Sequence, residues 1–404
     1  MQKPPTPKDV PPGPAPPGLR RVLTFWPLVL YGLGVIVGAG IYVATGAVIA
    51  RAGDLAPLSF LLAGLAAGLT GLCYAELASR LPEASGSVGF VREAFQSRRL
   101  AQLSGAVLAV TVAISAGSIV HGSVLYMQQI VALPAGFLAA GLVVLFTAVA
   151  LLGVRESVGL AALMSVVEIA GLLAAIAAGM ARLRLDQVAR LVAVTPGGMS
   201  AALSGAFIAF FAFLGFETLA NLAEEVRQPQ RTLPRGILGA IGASLVLYVA
   251  VASAAVLGGG EGRHPLIGLF AGRNAIAFAL LGTVAVANGV LVQIVMLSRL
   301  FYGMARQGQL PALLGRVSRR TDTPGPATLL AGAIVLAVVL AVPFEPLLVW
   351  TNLLTLGLFV LVDLALWRLH RRGPTPAGAF AAPRWVPPLA AAAALLLIGA
   401  QILA

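Results

Sequence analysis

Val35-Ile36-Val37-Gly38-Ala39-Gly40-Ile41-Tyr42 stands in the middle of the first long apolar segment, about residues 24–50. Each glycine weakens a helix by roughly 1 kcal/mol relative to alanine. A helix that opens here bares N–H groups and carbonyls, and in hydrocarbon each bared group costs several kcal/mol unless protein, water or ligand satisfies it. Two readings compete for this stretch alone: a binding site at mid-depth, or close helix packing through small residues. A second stretch favours the first. Phe210-Phe211-Ala212-Phe213-Leu214-Gly215-Phe216-Glu217 also places a glycine near the centre of an apolar segment, with a carboxylate two residues on. Paired interrupted helices in corresponding halves of a membrane chain point to a transporter site.

Composition sets the class. Of 404 residues, 59% are hydrophobic and only 10% charged, against about 25% charged in soluble domains. The chain is therefore read as a polytopic, all-α membrane protein. The single cysteine, Cys73, excludes an internal disulfide and any multi-cysteine metal site, and His121, His264 and His370 have no zinc spacing. No cofactor or metal is expected. The net charge of +12 reflects arginines crowding one set of loops, and aromatics are not interleaved with them, so nucleic acid is not an expected partner. Residues 1–22 are proline-rich and polar, read as a disordered or extended tail. No secretory-signal pattern precedes Arg20, so the first span is expected to act as its own insertion signal.

A bilayer-crossing helix needs about 20 apolar residues. Eleven such spans are read near 24–50, 55–79, 100–131, 134–153, 157–181, 201–226, 234–258, 274–304, 326–342, 346–368 and 385–403. With the N-terminus inside, most of the 27 lysines and arginines fall on the cytoplasmic side. The opposite side holds Arg51, Arg182, Arg184, Arg190, Arg263 and Arg273. This bias orients the chain N-in, and eleven spans put the C-terminus out. The glycine-interrupted spans are the first and sixth. Residues 23–183 and 201–370 then form two five-helix halves of inverted orientation. Residues 184–200 connect them on the outer side, the loop of about 182–200 being read as a short interfacial helix, and 371–404 add a cytoplasmic loop and an eleventh span.

Four stretches, in order, carry a family resemblance: Gly32 through Tyr42; Ala75-Glu76-Leu77-Ala78 followed by Leu81-Pro82; Phe210 through Arg235; and Ser298-Arg299-Leu300-Phe301-Tyr302-Gly303-Met304-Ala305-Arg306 through Pro311. Together they resemble the amino acid–polyamine–organocation (APC) superfamily over about residues 20–370. The resemblance implies a LeuT-type fold, a 5+5 inverted repeat with helices one and six discontinuous, and alternating-access movement of amino acids or related amines. Two departures stand out. Many members have twelve spans, and Ser85-Gly86-Ser87-Val88-Gly89-Phe90 replaces a common Gly-Gly-x-Tyr turn.

An amino acid zwitterion at mid-membrane needs partners for both ends. Backbone opened after Gly38 would present the N–H groups of Ala39, Gly40 and Ile41 to the carboxylate at the positive end of a half-helix. By resemblance, the ammonium would meet the carbonyls of Ile36, Phe211 and Leu214. Gly215 completes the break in span six, and Phe211 and Phe216 are read as a gate, a pocket wall or ordinary core. The apolar side chains here suggest a small neutral substrate.

Glu168, mid-span in segment five, is a functional candidate because a buried carboxylate is expensive in a membrane. Some relatives have a lysine at the corresponding place. Glutamate here is read as a proton carrier or as a neutral acid gluing helices, and H+ as the coupling ion. Glu217 is read as a coupling group or as a carboxylate starting the second half-helix, with Asn221 a turn beyond. Thr111, Ser115, Ser118 and Gly122 make a small polar face beside His121. Ser118, His121, Asn221 and Asn288 are cavity candidates. Glu224, Glu225, Arg227, Arg231 and Arg235 form an inner gate with Arg80 or Glu76, or a solvated face. Asp363 is expected to snorkel.

The expected activity is secondary active transport of amino acids across the plasma (inner) membrane, as monomer or homodimer among lipids. The alternative is a polyamine or cationic amino acid exchanger. A channel lacks support from two inverted halves, and a membrane-embedded enzyme lacks a nucleophile–base set.

Overall fold

The computed structural model describes residues 23–82, 86–152, 154–183, 198–223, 226–259, 264–318, 321 and 323–403. The 1–22 tail, most of the 184–200 connection with its expected interfacial helix, and Glu224 and Glu225 of the expected inner gate lie outside the described residues. Along the apolar segments run helices Phe25–Ala52, Ala56–Arg80, Arg98–Met127, Ala135–Leu152 and Val154–Met180. Segment six is composite: helix Gly198–Ala209, then 3₁₀ turns Phe210–Phe213 and Phe216–Leu222. Helices Pro229–Leu257, Arg273–Arg306, Gly325–Ala341, Phe344–Arg372 and Val386–Ile402 follow. No strand occurs among the described residues, only an isolated bridge between Leu23 and Val226.

Among the described residues, eight helical stretches are long and apolar enough to cross a bilayer, counting Gly40–Arg80 as one. Phe25–Gly38, Gly325–Ala341 and Val386–Ile402 are shorter apolar helices. The chain is a polytopic α-helical membrane protein.

Local chemistry sets the helix ends. Proline occupies the first turn of segments two, seven, nine and eleven, where its missing N–H has no helical partner to lose. Ser97 caps segment three by accepting the Leu100 N–H at 3.3 Å. The 80–99 connection, read from sequence as a loop, holds an amphipathic helix at Gly86–Phe95, with Phe90 and Val91 buried and Arg92 and Glu93 exposed.

Two segments leave helical geometry. Segment one breaks at Gly38 (φ −22°, ψ −139°). Segment six becomes extended at Leu214 (φ −62°, ψ 143°) and turns at Gly215 (φ 117°). Packing places them together: segment one lies on segment six, two on seven, three on eight and four on nine.

Asp363 does not snorkel. Its side chain is wholly buried, Oδ2 accepts from the Thr70 hydroxyl at 3.1 Å, and Oδ1 has no partner among the described residues. The position was misjudged because the segment ends at Arg372, more than two turns further on. A short carboxylate cannot reach the interface from that depth, and segment two offered a hydroxyl.

Candidate functional site

Between the two breaks lies a cavity of about 90 Å³. By the same kind of measure a water fills about 10–15 Å³, so the space suits a ligand of several heavy atoms. Gly38 faces it: a methyl group added there would meet nothing within 4 Å. Gly40 also lines it, and a Cβ added there would lie 2.6 Å from Ala212 Cα. The two open backbones are therefore in direct contact, and only glycine permits the approach. Gly215 has a positive φ, and an added Cβ would also collide with Val35 at 2.8 Å.

A tyrosine from segment seven ties the breaks together. The buried Tyr248 hydroxyl lies 2.7 Å from the Ile36 carbonyl and 2.9 Å from that of Ala212, shared between the last turn before each break. Glu217 accepts the Gly215 N–H at 2.8 Å, and Thr218 donates to the Gly215 carbonyl at 2.6 Å. The carboxylate thus caps the restarting turn, where a negative group is favourable, while Glu217 also forms part of the cavity wall.

Behind the opposite wall is a second polar group. Asn288 lines the cavity and donates to Glu168 Oε1 at 2.7 Å and to Ser165 Oγ at 3.3 Å. Glu168 is fully buried, and its Oε2 has no hydrogen-bond partner among the described residues. Its backbone carbonyl accepts the Tyr42 hydroxyl at 2.7 Å, joining segment five to the part of segment one that follows the break. Gln293 donates to Ser115 Oγ at 3.0 Å, leaving Oε1 unpartnered.

Ile36, Gly38, Gly40, Phe211, Leu214, Gly215, Glu217 and Asn288 all line the cavity. Ala39 lies in the helix after the break. Other candidates lie elsewhere. Ile41 sends its side chain into the core, leaving only its backbone N–H for the site. Phe216 is buried against Tyr74 and Phe359, with ring centroids 5.5 and 5.2 Å away. Glu168 reaches the cavity only through Asn288. The expected polar face of segment three divides: Thr111 and Ser115 line the cavity, Ser118 donates to its own helix at Ile114, and Gly122 packs on Val43. His121 Nε2 lies 3.0 Å from the Val342 carbonyl, outside the cavity, and Asn221 is exposed.

The apolar lining expected from segments one and six is incomplete. Thr111, Ser115, Asn288, Gln293 and Thr355 add polar groups from segments three, eight and ten. Sequence reasoning passed over Tyr248 and Gln293. Each is a lone polar residue in an apolar run, and that was the available signal, but which way each faces depends on packing.

Helices crossing a bilayer, two of them broken around a small internal cavity, define a multi-pass membrane protein built for handling a small solute. Residues 23–404 match the family model described as amino acid permease, and the chain belongs to that family, within the APC superfamily. The methylthioribose transporter of Bacillus subtilis (strain 168) is 32% identical over 399 residues, covering 90% of this chain and 84% of that protein. The branched-chain amino acid permease BcaP of the same organism is 30% identical over 398 residues, with the same coverage. Cationic amino acid transporter 9, chloroplastic, of Arabidopsis thaliana is 32% identical over 340 residues, or 74% of this chain, which spans 58% of that longer protein. These relatives are transporters, and the chain belongs with transporters by family.

Proposed function

We propose that this protein is a secondary active transporter that carries a small amino acid across the cytoplasmic membrane by alternating access, coupled to protons. The observation that carries the reading is the break at Gly38 set against the break at Leu214–Gly215, with a cavity between them. In this reading eleven spans cross the membrane N-in and C-out, and residues 23–183 and 201–370 are inverted halves of a LeuT-type fold. The packing of one on six, two on seven, three on eight and four on nine supports that repeat.

The substrate carboxylate sits at the start of the outer half-helix, against the N–H groups of Ala39, Gly40 and Ile41. A helix restarting after Gly38 leaves its first N–H groups without carbonyls one turn back. The ammonium meets the carbonyls of Ile36, Phe211 and Leu214. Ile36 O already accepts from Tyr248, but a carbonyl has two lone pairs, so it accepts twice. The substrate side chain points toward Thr111, Ser115 and Gln293.

Glu168 is the coupling group. One oxygen is held by Asn288, which also faces the substrate. The other is unpartnered in a buried site, where an ionised carboxylate is costly. Taking up and releasing a proton there alters Asn288, while the backbone carbonyl of Glu168 holds Tyr42 of segment one close by.

A second reading is favoured by Glu217. Its carboxylate in the cavity wall suits a cationic amino acid or polyamine, and four relatives are named cationic amino acid transporters. Proteoliposome uptake separates these. A labelled panel of branched-chain, small neutral and cationic amino acids, a polyamine and methylthioribose is offered with and without an inward proton gradient. Accumulation of a neutral amino acid that collapses with the gradient supports the first reading. Exchange of cations indifferent to the gradient supports the second. Uptake of methylthioribose alone contradicts both.

A further inference from the structure

A second pocket, of about 400 Å³, lies away from the central cavity. Trp367, His370, Arg371 and Arg372 come from the last turns of segment ten, and Gly373, Pro374 and Arg384 from the loop before segment eleven. Arg371, Arg372 and Arg384 are exposed. Arg371 stacks over Trp367, 5.5 Å from the ring centroid, and Arg372 donates to the Glu93 backbone carbonyl at 3.2 Å.

Among the described residues, no carboxylate pairs with any of these three arginines. The Glu93 side chain is exposed, and the buried carboxylate nearby is committed elsewhere. Glu76, fully buried, pairs with Arg80 at 2.5 Å and His370 at 3.0 Å, and accepts from Thr375 Oγ1 at 2.7 Å and the Ala382 N–H at 2.8 Å.

Arginines at helix ends serve orientation without forming a site. Here Arg371, Arg372 and Arg384 line one concavity, and among the described residues none of the three is paired with a carboxylate. Trp367, 41% exposed, lines it, and Trp385, 59% exposed, follows Arg384 in the chain; tryptophan favours the headgroup level of a bilayer. Guanidinium groups hold phosphate through paired hydrogen bonds. Basic pockets between membrane helices suit anionic headgroups.

We propose that this pocket binds the headgroup phosphate of an anionic phospholipid. The bound lipid fastens the 373–384 loop, which is pinned through Glu76 and through Ser79, whose hydroxyl accepts the Phe380 N–H and donates to the Gln230 carbonyl, each at 2.8 Å. Lipid occupancy thereby stiffens the ends of segments two, seven and ten together.

The test uses the full chain, purified and delipidated. Melting is followed in micelles carrying phosphatidylglycerol or phosphatidylcholine, and retained lipid is counted by native mass spectrometry. Wild type and R306Q/R316Q, which removes two exposed arginines elsewhere, are expected to melt higher with phosphatidylglycerol and to retain it. R371Q/R384Q is expected to melt equally in both lipids. A preference that survives in R371Q/R384Q, or falls equally in R306Q/R316Q, overturns the proposal. Inorganic phosphate at the same concentration is expected neither to displace the lipid nor to reproduce the shift. If it does either, the site is one for soluble phosphate and the lipid assignment fails. If the glutamine pair yields no folded protein, R371K/R384K serves: it keeps the charge and loses the fork. Its preference is expected below wild type, and an unchanged preference also overturns the proposal.

Discussion

At the scale of single residues, Gly40 and Glu168 carry the sharpest consequences. Gly40→Ala sets a methyl group 2.6 Å from Ala212 Cα, a backbone atom that cannot rotate away. Overpacking of this kind typically costs about 1–3 kcal/mol. The variant is expected to melt lower and to lose substrate binding, measured by thermal melting with and without the substrate found in uptake. Unaltered binding would mean the two backbones need not touch. Glu168→Gln keeps an oxygen for Asn288 but has no titratable proton. Accumulation against a gradient is expected to disappear while one-for-one exchange persists. In wild type, accumulation is expected to fall as external pH rises toward the internal value, and in the variant net uptake is expected to ignore pH. A variant that still concentrates substrate removes Glu168 from the coupling step. These two residues were legible in the sequence for the same reason: glycine in a helix and carboxylate in hydrocarbon are both costly. Asp363 was equally costly and was misjudged, because burial against Thr70 depends on how segments two and ten pack.

At the scale of elements, the broken segments are held by a third. Tyr248 shares its hydroxyl between Ile36 and Ala212, so segment seven fixes the distance between the two open backbones. Hydrogen bonds between membrane helices average about 0.6 kcal/mol and reach about 1.7. Tyr248→Phe is expected to lower stability by an amount in that range and to weaken substrate affinity as well. Denaturation in mild detergent and a binding titration read the two effects. Loss of stability with undiminished affinity would reduce Tyr248 to packing. The breaks were visible as glycines in otherwise continuous apolar runs, but the element that clamps them was not. The helix at Gly86–Phe95 was hidden for a related reason: its apolar face is short and its flanks are charged, so it reads as a connecting loop.

At the scale of the whole molecule, the proposed topology is a helical bundle crossing the membrane with the N-terminus inside. The chain offers a clean assay, since its only cysteine, Cys73, is buried. Ala377→Cys, in an exposed loop, is expected to react with an impermeant thiol reagent only from the cytoplasmic side. Leu403→Cys, 89% exposed, is expected to react only from outside. The opposite pattern would invert the assigned topology. The central claim is that bared peptide groups on either side of the cavity grip both charged ends of a zwitterion. Its most direct test is competition in proteoliposome counterflow between the transported amino acid and two blocked forms, the carboxamide and the N-acetyl derivative. Both blocked forms are expected to compete at least tenfold more weakly than the free amino acid, since blocking either end sacrifices a charge-assisted contact of about 1.5–3 kcal/mol. Competition by either form as strong as that of the free amino acid would contradict the account.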